Sequence, residues 1–388
     1  MGLTSKRFLD ALQHKKFSKN WVLNFSERYS TQFSVPIQFF AKCKRLFPVV
    51  ILQTALQVDD YATEDFWIGY GEKITELQFQ SGLLQKEEFV NVVKYTKNLE
   101  IVKIEANNMF KNWTINKFAY ERRIILQKCK HISLARNNVL TLDVFEYMMD
   151  TSPNITTIDL SNCLHLMNPP ERNRFLNYVL AFLRDKCKQI KSLDFSHTIT
   201  DDLFLDNLGR IDMKLKELHL TFMGSTKNSN FGIPVLIANQ PTLEKFDLSA
   251  SPSANDIIVR IIANNMTYMR ILLLKKCHNL TDNGVRELVK LEYLEELEIS
   301  ECDCVTDVGI MDGVLSGKPK ASLKNLNLSL LKVLTEPVLH RLSYFYENLN
   351  VLDLAGVSLA VTDESLQMIF RHMRFLRFLN VDSCCKVK

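Results

Sequence analysis

Large apolar residues recur along this chain in one short pattern. The second residue follows the first by three positions, and the third follows the second by two. The pattern starts at twelve sites: Ile74, Leu99, Cys129, Ile155, Ile190, Leu215, Leu243, Met269, Leu294, Leu323, Leu349 and Leu376. Phe47, Val50 and Leu52 form an irregular unit before them. Apolar residues two apart lie on one side of a strand, so each site predicts a short β-strand.

An amphipathic stretch follows the strand in each unit. In the unit that begins at Met269, for example, Val285, Leu288 and Val289 have helical spacing. Thr281 or Asp282 can cap that helix through a side-chain oxygen. The sites are 25 to 35 residues apart, and leucine-rich repeats have a period of roughly 20–29 residues. The pattern therefore predicts an α/β leucine-rich-repeat solenoid of about twelve units, with a curved parallel sheet inside and helices outside.

Cysteines mark several of these units. Cys163, Cys277, Cys302 and Cys384 each stand three residues after the last apolar strand site, and Thr-Asp pairs precede several helices. These features resemble the cysteine-containing class of leucine-rich repeats. We interpret the cysteines as small buried groups where the chain turns. Their spacing does not match metal-ligand motifs, so we predict no metal and no cofactor.

The longest interval between sites contains Met167 to Arg172, with Pro169 and Pro170 in the middle. Two prolines among polar neighbours predict a surface loop. The last unit stops directly after its strand, where a closing cap is expected. We therefore expect either that the chain continues beyond the given sequence at this end or that its terminus is unusually bare.

Charge divides the chain of 388 residues unevenly. The formal net charge is +4, whereas residues 1–50 hold nine Lys or Arg against two acidic residues. The N-terminal residues include no apolar signal-peptide segment. Nowhere in the given sequence is an apolar run long enough to predict a membrane-spanning helix. Nine cysteines at irregular spacing indicate free thiols. We expect a cytoplasmic or nuclear protein without membrane contact.

The basic head, residues 1–28, does not fit the repeat. Leu3 to Leu12, followed by Phe17 and Trp21, resembles the back half of an F-box, without the Leu-Pro helix at its front. The resemblance implies docking on a Skp adaptor and through it a cullin. The adaptor-binding residues would be Leu3, Phe8, Leu12 and Trp21. Two other interpretations stay open: a plain N-terminal cap of the first repeat, or a nucleic-acid contact, for which the head aromatics fit less well than for packing.

Residues 29–73 then form a connecting segment with the irregular first repeat, and residues 74–388 form the leucine-rich repeats. Outward strand positions line the sheet face, where repeat proteins bind partners. The predicted substrate-binding residues are Asp247, Ile271, Leu273, Glu296, Glu298, Val351, Asp353 and Phe378.

Two hypotheses follow for this face. Its acidic positions predict a partner with a basic segment, although acidic strand positions are equally explained by solubility. The aliphatic and aromatic residues predict an apolar contact in the later repeats.

The chain contains none of the short catalytic motifs that we sought, and its eight histidines are scattered. We expect no enzymatic activity. Together with the F-box resemblance, these features predict the substrate-recognition adaptor of an SCF-type E3 ubiquitin ligase, which would present a target protein for ubiquitin-dependent proteasomal degradation. The alternative is a leucine-rich-repeat scaffold or inhibitor with no ligase.

Overall fold

The computed structural model arranges the chain as two compact units. Unit 1 is Met1–Tyr178 and unit 2 is Val179–Lys388. The described residues are 22–25, 47–53, 61–80, 86–105, 110, 113, 125–138, 140–163, 169–198, 200–222, 232–317 and 321–386. Among these residues, each unit alternates short strands with helices.

The described part of unit 1 forms six strands. They are β1 (Val22–Phe25), β2 (Val49–Leu52), β3 (Glu76–Phe79), β4 (Ile101–Ile104), β5 (His131–Ser133) and β6 (Thr157–Asp159). Each strand pairs in parallel with the next along the chain. The helices are α1 (Tyr61–Tyr70), α2 (Lys86–Val93), α3 (Leu142–Thr151) and α4 (Pro169–Asp185), with a 3-10 turn at Gly71–Lys73. The division between the units falls within α4.

The described part of unit 2 forms eight strands, which also pair in parallel in chain order. They are β7 (Ser192–Asp194), β8 (Glu217–His219), β9 (Lys245–Asp247), β10 (Ile271–Leu273), β11 (Glu296–Glu298), β12 (Asn325–Asn327), β13 (Val351–Asp353) and β14 (Phe378–Asn380). The helices are α5 (Asp202–Gly209), α6 (Gly232–Asn239), α7 (Asp256–Asn265), α8 (Asp282–Glu287), α9 (Asp307–Gly309), α10 (Glu336–Phe345) and α11 (Asp363–His372). A 3-10 segment, Leu288–Lys290, and a π-helical segment, Ile310–Val314, extend α8 and α9.

The predicted fold class is confirmed, because each unit is a stack of parallel strand-plus-helix leucine-rich repeats. All twelve pattern sites are followed two residues later by a strand. The predicted facing is also correct. Leu218 and Leu220 are fully buried, whereas Glu217 is exposed and His219 half-buried. Period-two alternation thus separates a buried face from an outward face.

One strand lies earlier than the repeat pattern predicts. Val22–Phe25 pairs with β2, and Leu23 on it is buried. These four residues fall within the segment 1–28 that we assigned to the head. The pattern missed β1 because Asn20, a polar residue, stands at the first apolar site.

Aromatic rings fill much of the interior of unit 1. The Phe66 ring lies 5.0 Å from that of Trp67 and 5.2 Å from that of Tyr70. A second group joins Phe89 to Trp113 at 5.6 Å. Aromatic pairs at these distances contribute beyond the area that they bury.

The regular spacing of four cysteines in sequence has a structural counterpart. Each of these four sulfur atoms contacts the backbone carbonyl oxygen just after the preceding repeat's strand, at 3.0 to 3.6 Å. The pairs are Cys163 with Leu134, Cys277 with Leu248, Cys302 with Leu274 and Cys384 with Leu354. In another repeat, a side-chain amide makes the corresponding contact with the preceding repeat, because Asn137 Nδ2 donates to the carbonyl oxygen of Ile104 at 2.6 Å. These cysteines therefore join neighbouring repeats, as their interpretation as structural groups predicts.

A second set of contacts between repeats, which we call the ladder of helix starts, joins successive helix N-termini of unit 2 through aspartate and threonine side chains. Asp256 Oδ1 accepts the backbone N–H of Thr281 at 2.8 Å, and its Oδ2 accepts the threonine hydroxyl at 2.7 Å. Asp282 does the same for Thr306 at 2.8 and 2.6 Å. Thr281 and Thr306 are themselves the N-caps of α8 and α9. The Thr-Asp pair thus has two tasks, since the threonine caps its own helix while the aspartate holds the next threonine.

The loop predicted around Pro169 and Pro170 is wrong for these two residues and for Glu171 and Arg172. All four belong to the first turns of α4. Proline is tolerated there because the first turn of a helix has no intrahelical acceptor for its missing N–H.

Candidate functional site

The outward face of the sheet in unit 2 combines charged and apolar side chains around β10. In β9 to β11, the outward residues are Lys245, Asp247, Ile271, Leu273, Glu296 and Glu298, which we call the central patch. Ile271 lies between Lys245 and Glu296, and Leu273 lies between Asp247 and Glu298. Adjacent strands are about 4.8 Å apart, so these side chains are direct neighbours. The predicted residues of β9, β10 and β11 are therefore brought together.

The remaining predicted residues lie on the last two strands of unit 2. Val351 is half-buried on β13, and Phe378, its register partner on β14, is 53% exposed. Asn325 on β12 stands between Val351 and Glu296. The face thus holds two apolar positions, one at β10 and one at β13 and β14, with an amide strand between them.

The aspartates that end the outward face of their strands, Asp247 on β9 and Asp353 on β13, hold the turn that follows the strand. Asp247 Oδ1 accepts the backbone N–H of Ser249 at 2.9 Å, and Asp353 Oδ1 accepts that of Ala355 at 3.0 Å. Asn327 makes the same bond at 3.0 Å. Because asparagine and aspartate serve equally, the oxygen and not the charge is what this turn requires. The turn therefore explains much of the acidic column.

Leu273 occupies the same position without an oxygen of its own. The backbone N–H that would need it, at Lys275, instead donates to Ser249 Oγ of the preceding repeat at 3.2 Å. The same replacement occurs at His219, where the N–H of Thr221 donates to Ser196 Oγ at 3.2 Å. Ser249 thus permits an aliphatic side chain at position 273.

The two glutamates of the central patch differ from its aspartate. Glu298 Oε1 accepts hydrogen bonds from the Ser300 hydroxyl at 2.8 Å and from Asn327 Nδ2 at 3.1 Å. Glu296 Oε2 accepts one from Asn325 Nδ2 at 3.2 Å. Neither holds a backbone turn in this way. Within the described residues, neither forms an ion pair with Lys, Arg or His.

Asp247 is tied more tightly. Burial opposes its ionisation, but hydrogen bonds from His219, Ser249 and Thr221 hold the pKa of its carboxyl below the ordinary value. Its Oδ2 lies 3.7 Å from His219 Nδ1. The Asp247 carboxylate therefore already has several hydrogen-bond partners within the protein. Of the three carboxylates in the central patch, those of Glu296 and Glu298 are the ones that can form an ion pair with a partner.

The sequence pattern missed a row of alternating charges just before the strands. Lys216 Nζ lies 2.5 Å from Glu244 Oε1, and Arg270 lies 2.7 Å from Glu295 and 3.6 Å from Glu244. The hydrogen bond from Lys216 lowers the pKa of Glu244. These residues recur at the repeat spacing, which was the signal available in the sequence. With Ile271 they line a cleft of about 160 Å³.

The four head residues predicted to bind an adaptor, Leu3, Phe8, Leu12 and Trp21, lie outside the described residues. No helix in the described part of the chain is long and apolar enough to cross a membrane. The same residues include no group of three or more His, Cys, Asp or Glu side chains arranged to hold a metal ion.

Comparison with known proteins supports the fold alone. No family model matches the chain, and no curated protein matches it significantly. Among solved structures, it is similar to a chain of the Rad7–Elc1 complex from yeast, with a TM-score of 0.59 and 17% identity. That match covers 99% of this chain and 84% of the other. The leucine-rich repeat-containing protein LegL7 from Legionella pneumophila matches with a TM-score of 0.45 and 14% identity, over 65% of this chain and 83% of that one.

Proposed function

We propose that this chain is a protein-binding subunit that recognises the substrate of an SCF-type E3 ubiquitin ligase, and that it carries out no catalysis itself. The observation that carries the binding role is the central patch, where two aliphatic side chains stand outward beside Glu296 and Glu298, which form no ion pair within the described residues. Large apolar side chains with polar neighbours are typical anchors of protein interfaces. A target held there would be presented for ubiquitin-dependent proteasomal degradation, in the cytoplasm or the nucleus.

One observation supports the ligase part of the proposal. The head resembles the back half of an F-box at Leu3 to Leu12 and at Trp21, which implies contact with a Skp adaptor and a cullin. The yeast chain with a similar fold comes from the Rad7–Elc1 complex, which supports the broader idea that this chain binds another protein.

A second function, a repeat scaffold with no ligase, is favoured by one observation. The strand Val22–Phe25 lies directly after the F-box-like residues and extends the sheet of unit 1. A head that continues into the sheet suits an N-terminal cap, which covers apolar surface at the end of a repeat stack.

Co-purification distinguishes the two functions. Tagged full-length chain is purified from cells, and the eluate is probed for a Skp-type adaptor, a cullin and an Elc1-like protein. Leu12→Asp should remove the adaptor and the cullin while the protein remains folded. Ile68→Asp is the matched control, because Ile68 is 57% exposed on α1 and lies outside the head.

The design avoids truncation at residue 28, which would remove β1 and uncover its partner strand. Removal of residues 1–20 keeps β1 and tests the head as a whole. If Skp and cullin are absent from the wild-type eluate, the SCF assignment is wrong. An Elc1-like protein in their place would indicate the pairing seen in the yeast structure.

A further inference from the structure

Most of the charged side chains that surround the central patch form ion pairs with each other. Before the strands, Lys216 and Arg270 are paired with Glu244 and Glu295. After β10, Lys275 and Lys276 both lie 3.2 Å from the Glu301 carboxylate.

Burial raises the pKa of Glu301, but the two lysines outweigh it and hold that pKa low. Glu301 therefore stays ionised, and both borders of the patch are bridged by ion pairs.

Inside those borders, the carboxylates of Glu296 and Glu298 form no ion pair with any cation in the described part of the chain. Their hydrogen bonds come from neutral groups, the side-chain amides of Asn325 and Asn327 and the hydroxyl of Ser300. Lys245 is the cation of the patch, and it lies on the opposite side of Ile271 from Glu296. The charge that a partner meets beside the aliphatic pair on the β11 side is therefore negative.

The geometry gives this negative charge a defined spacing. Glu296 and Glu298 are two residues apart on one strand, and so are Ile271 and Leu273 beside them. Outward side chains at this separation are about 6.6 Å apart along the strand. Two carboxylates thus run parallel to two aliphatic side chains, one strand away.

We propose that the central patch binds a basic segment of a partner protein, in which a large aliphatic or aromatic side chain is accompanied by two Lys or Arg residues. The apolar side chain contacts Ile271 and Leu273, and the cations pair with Glu296 and Glu298. Charge complementarity selects the partner and increases the rate of encounter. This inference rests on the proposed function, since it gives the chemistry of the segment that the subunit recognises.

Selection from a random dodecapeptide phage library on the purified full-length chain tests the proposal. The expected peptides combine Lys or Arg with a large apolar residue, and they are enriched less strongly on the double variant Glu296→Gln and Glu298→Gln. Glutamine retains an oxygen for Asn325 and Asn327, so the variant removes charge with little change in packing. Enrichment of acidic peptides, equal enrichment of the basic peptides on the variant, or no enrichment at all would each overturn the proposal.

Affinities of the selected peptides then separate the two parts of the site. The double glutamine variant should weaken binding about tenfold, because each exposed ion pair contributes a modest amount. Ile271→Ser with Leu273→Ser should weaken it about tenfold or more, since apolar anchors dominate interfaces.

Glu292→Gln with Glu347→Gln is the matched control. Both residues are exposed outside the patch, and the pair removes the same charge. Thermal melting of every variant checks folding. Equal loss of affinity in this control and in the glutamine variant of the patch would assign the effect to net charge and contradict the site.

The peptide experiment uses the chain alone, without an adaptor or a cullin. Its failure therefore leaves the co-purification result intact. Conversely, loss of the ligase assignment leaves a peptide-binding patch that can still be measured.

Discussion

The two units differ in what the carboxylates on their sheet faces contact. In unit 1, side chains on the face bond to each other: Gln53 to Gln80 at 3.1 Å, Gln80 to Gln78 at 2.9 Å and Gln78 to Glu76 at 2.6 Å. Lys103 completes this chain of contacts through an ion pair with Glu76 at 3.1 Å. A partner that binds Glu76 would have to break this ion pair, which has a cost in free energy.

In unit 2, by contrast, Glu296 and Glu298 form no ion pair within the described residues, although outward aliphatic residues flank Glu296 and Glu76 alike. Both faces carry carboxylates, so the number of acidic residues does not distinguish them. The difference lies in what each carboxylate already contacts. A binding face is therefore better recognised by charge that is left unmatched than by composition.

The two units also show different recurring contacts. Unit 1 has an aromatic cluster of Phe66, Trp67 and Tyr70, and unit 2 repeats the polar contacts between helix starts. Repetition of this kind requires neighbouring helices to approach closely. The close approach of the repeats at Gly313 in unit 2, and the open space at Gly69 on α1 of unit 1, can be tested with small substitutions.

The largest effect is expected for Gly313→Ala in unit 2. A Cβ at this position would overlap the Val285 carbonyl and approach Arg286 Cα at 2.9 Å. Because backbone atoms cannot move aside cheaply, we expect the free energy of unfolding to fall by about 3 kcal/mol. Urea denaturation measures the change.

Gly69→Ala in α1 of unit 1 is the control, since a Cβ there meets nothing within 4 Å. It should leave stability unchanged or raise it by about 0.5 kcal/mol, because alanine is the better helix former. Equal destabilisation by the two substitutions would contradict the difference in packing.

The next effect concerns the ladder of helix starts in unit 2. Asp282→Ala leaves the N–H and hydroxyl of Thr306 without their acceptor, and we expect a loss of about 2 kcal/mol in unfolding free energy. Asp312→Ala is the comparison, because this aspartate forms an exposed ion pair with Arg286 at 3.1 Å. Such a pair is worth about 0–1 kcal/mol. Chemical denaturation of both variants measures these losses in unfolding free energy. Equal losses for Asp282→Ala and Asp312→Ala would show that the ladder of helix starts contributes no more than an exposed ion pair.

Much of the fold could be predicted because strand spacing and repeat period are local properties of the sequence. The outward position of Ile271 and Leu273 followed from the same alternation. The role of Asp247 in its turn did not, since the pattern shows an acidic column without its hydrogen bonds. The freedom of position 273 depends on Ser249, a residue one repeat earlier, and contacts between repeats are not visible in a single strand's pattern. Strand β1 was missed because its first site is polar.

A smaller change in stability is expected for Asp247→Asn, which distinguishes the contribution of the carboxylate charge from that of the acceptor oxygen. Asp247→Asn retains an acceptor for Ser249, as Asn327 shows in its own repeat, but it loses the charge. The pKa of Asp247 is lowered by folding, so its ionised form contributes stability above the ordinary aspartate pKa of about 3.9. That contribution is lost as the pH falls through the still lower folded value.

The wild type should therefore be more stable than Asp247→Asn at pH 7, by about 1 kcal/mol. The difference should shrink below about pH 4, where the unfolded-state carboxyl takes up its proton. Thermal melts of both proteins from pH 7 to pH 3 measure it. A difference that stays constant with pH would mean that the charge of Asp247 contributes nothing.

The smallest effect is expected on the face of unit 1, from Lys103→Met. Methionine keeps most of the aliphatic stem and removes only the ammonium group that pairs with Glu76. The lysine and glutamate side chains are 30% and 18% exposed, so solvent weakens the pair and the loss should be about 0.5 kcal/mol. Glu76 retains its hydrogen bond from Gln78, which limits the loss further. A double-mutant cycle of Lys103→Met with Glu76→Gln isolates the coupling. A coupling near zero would mean that the ion pair does not hold the face of unit 1 in its self-bonded state, and that Glu76 is as available to a partner as Glu296 and Glu298.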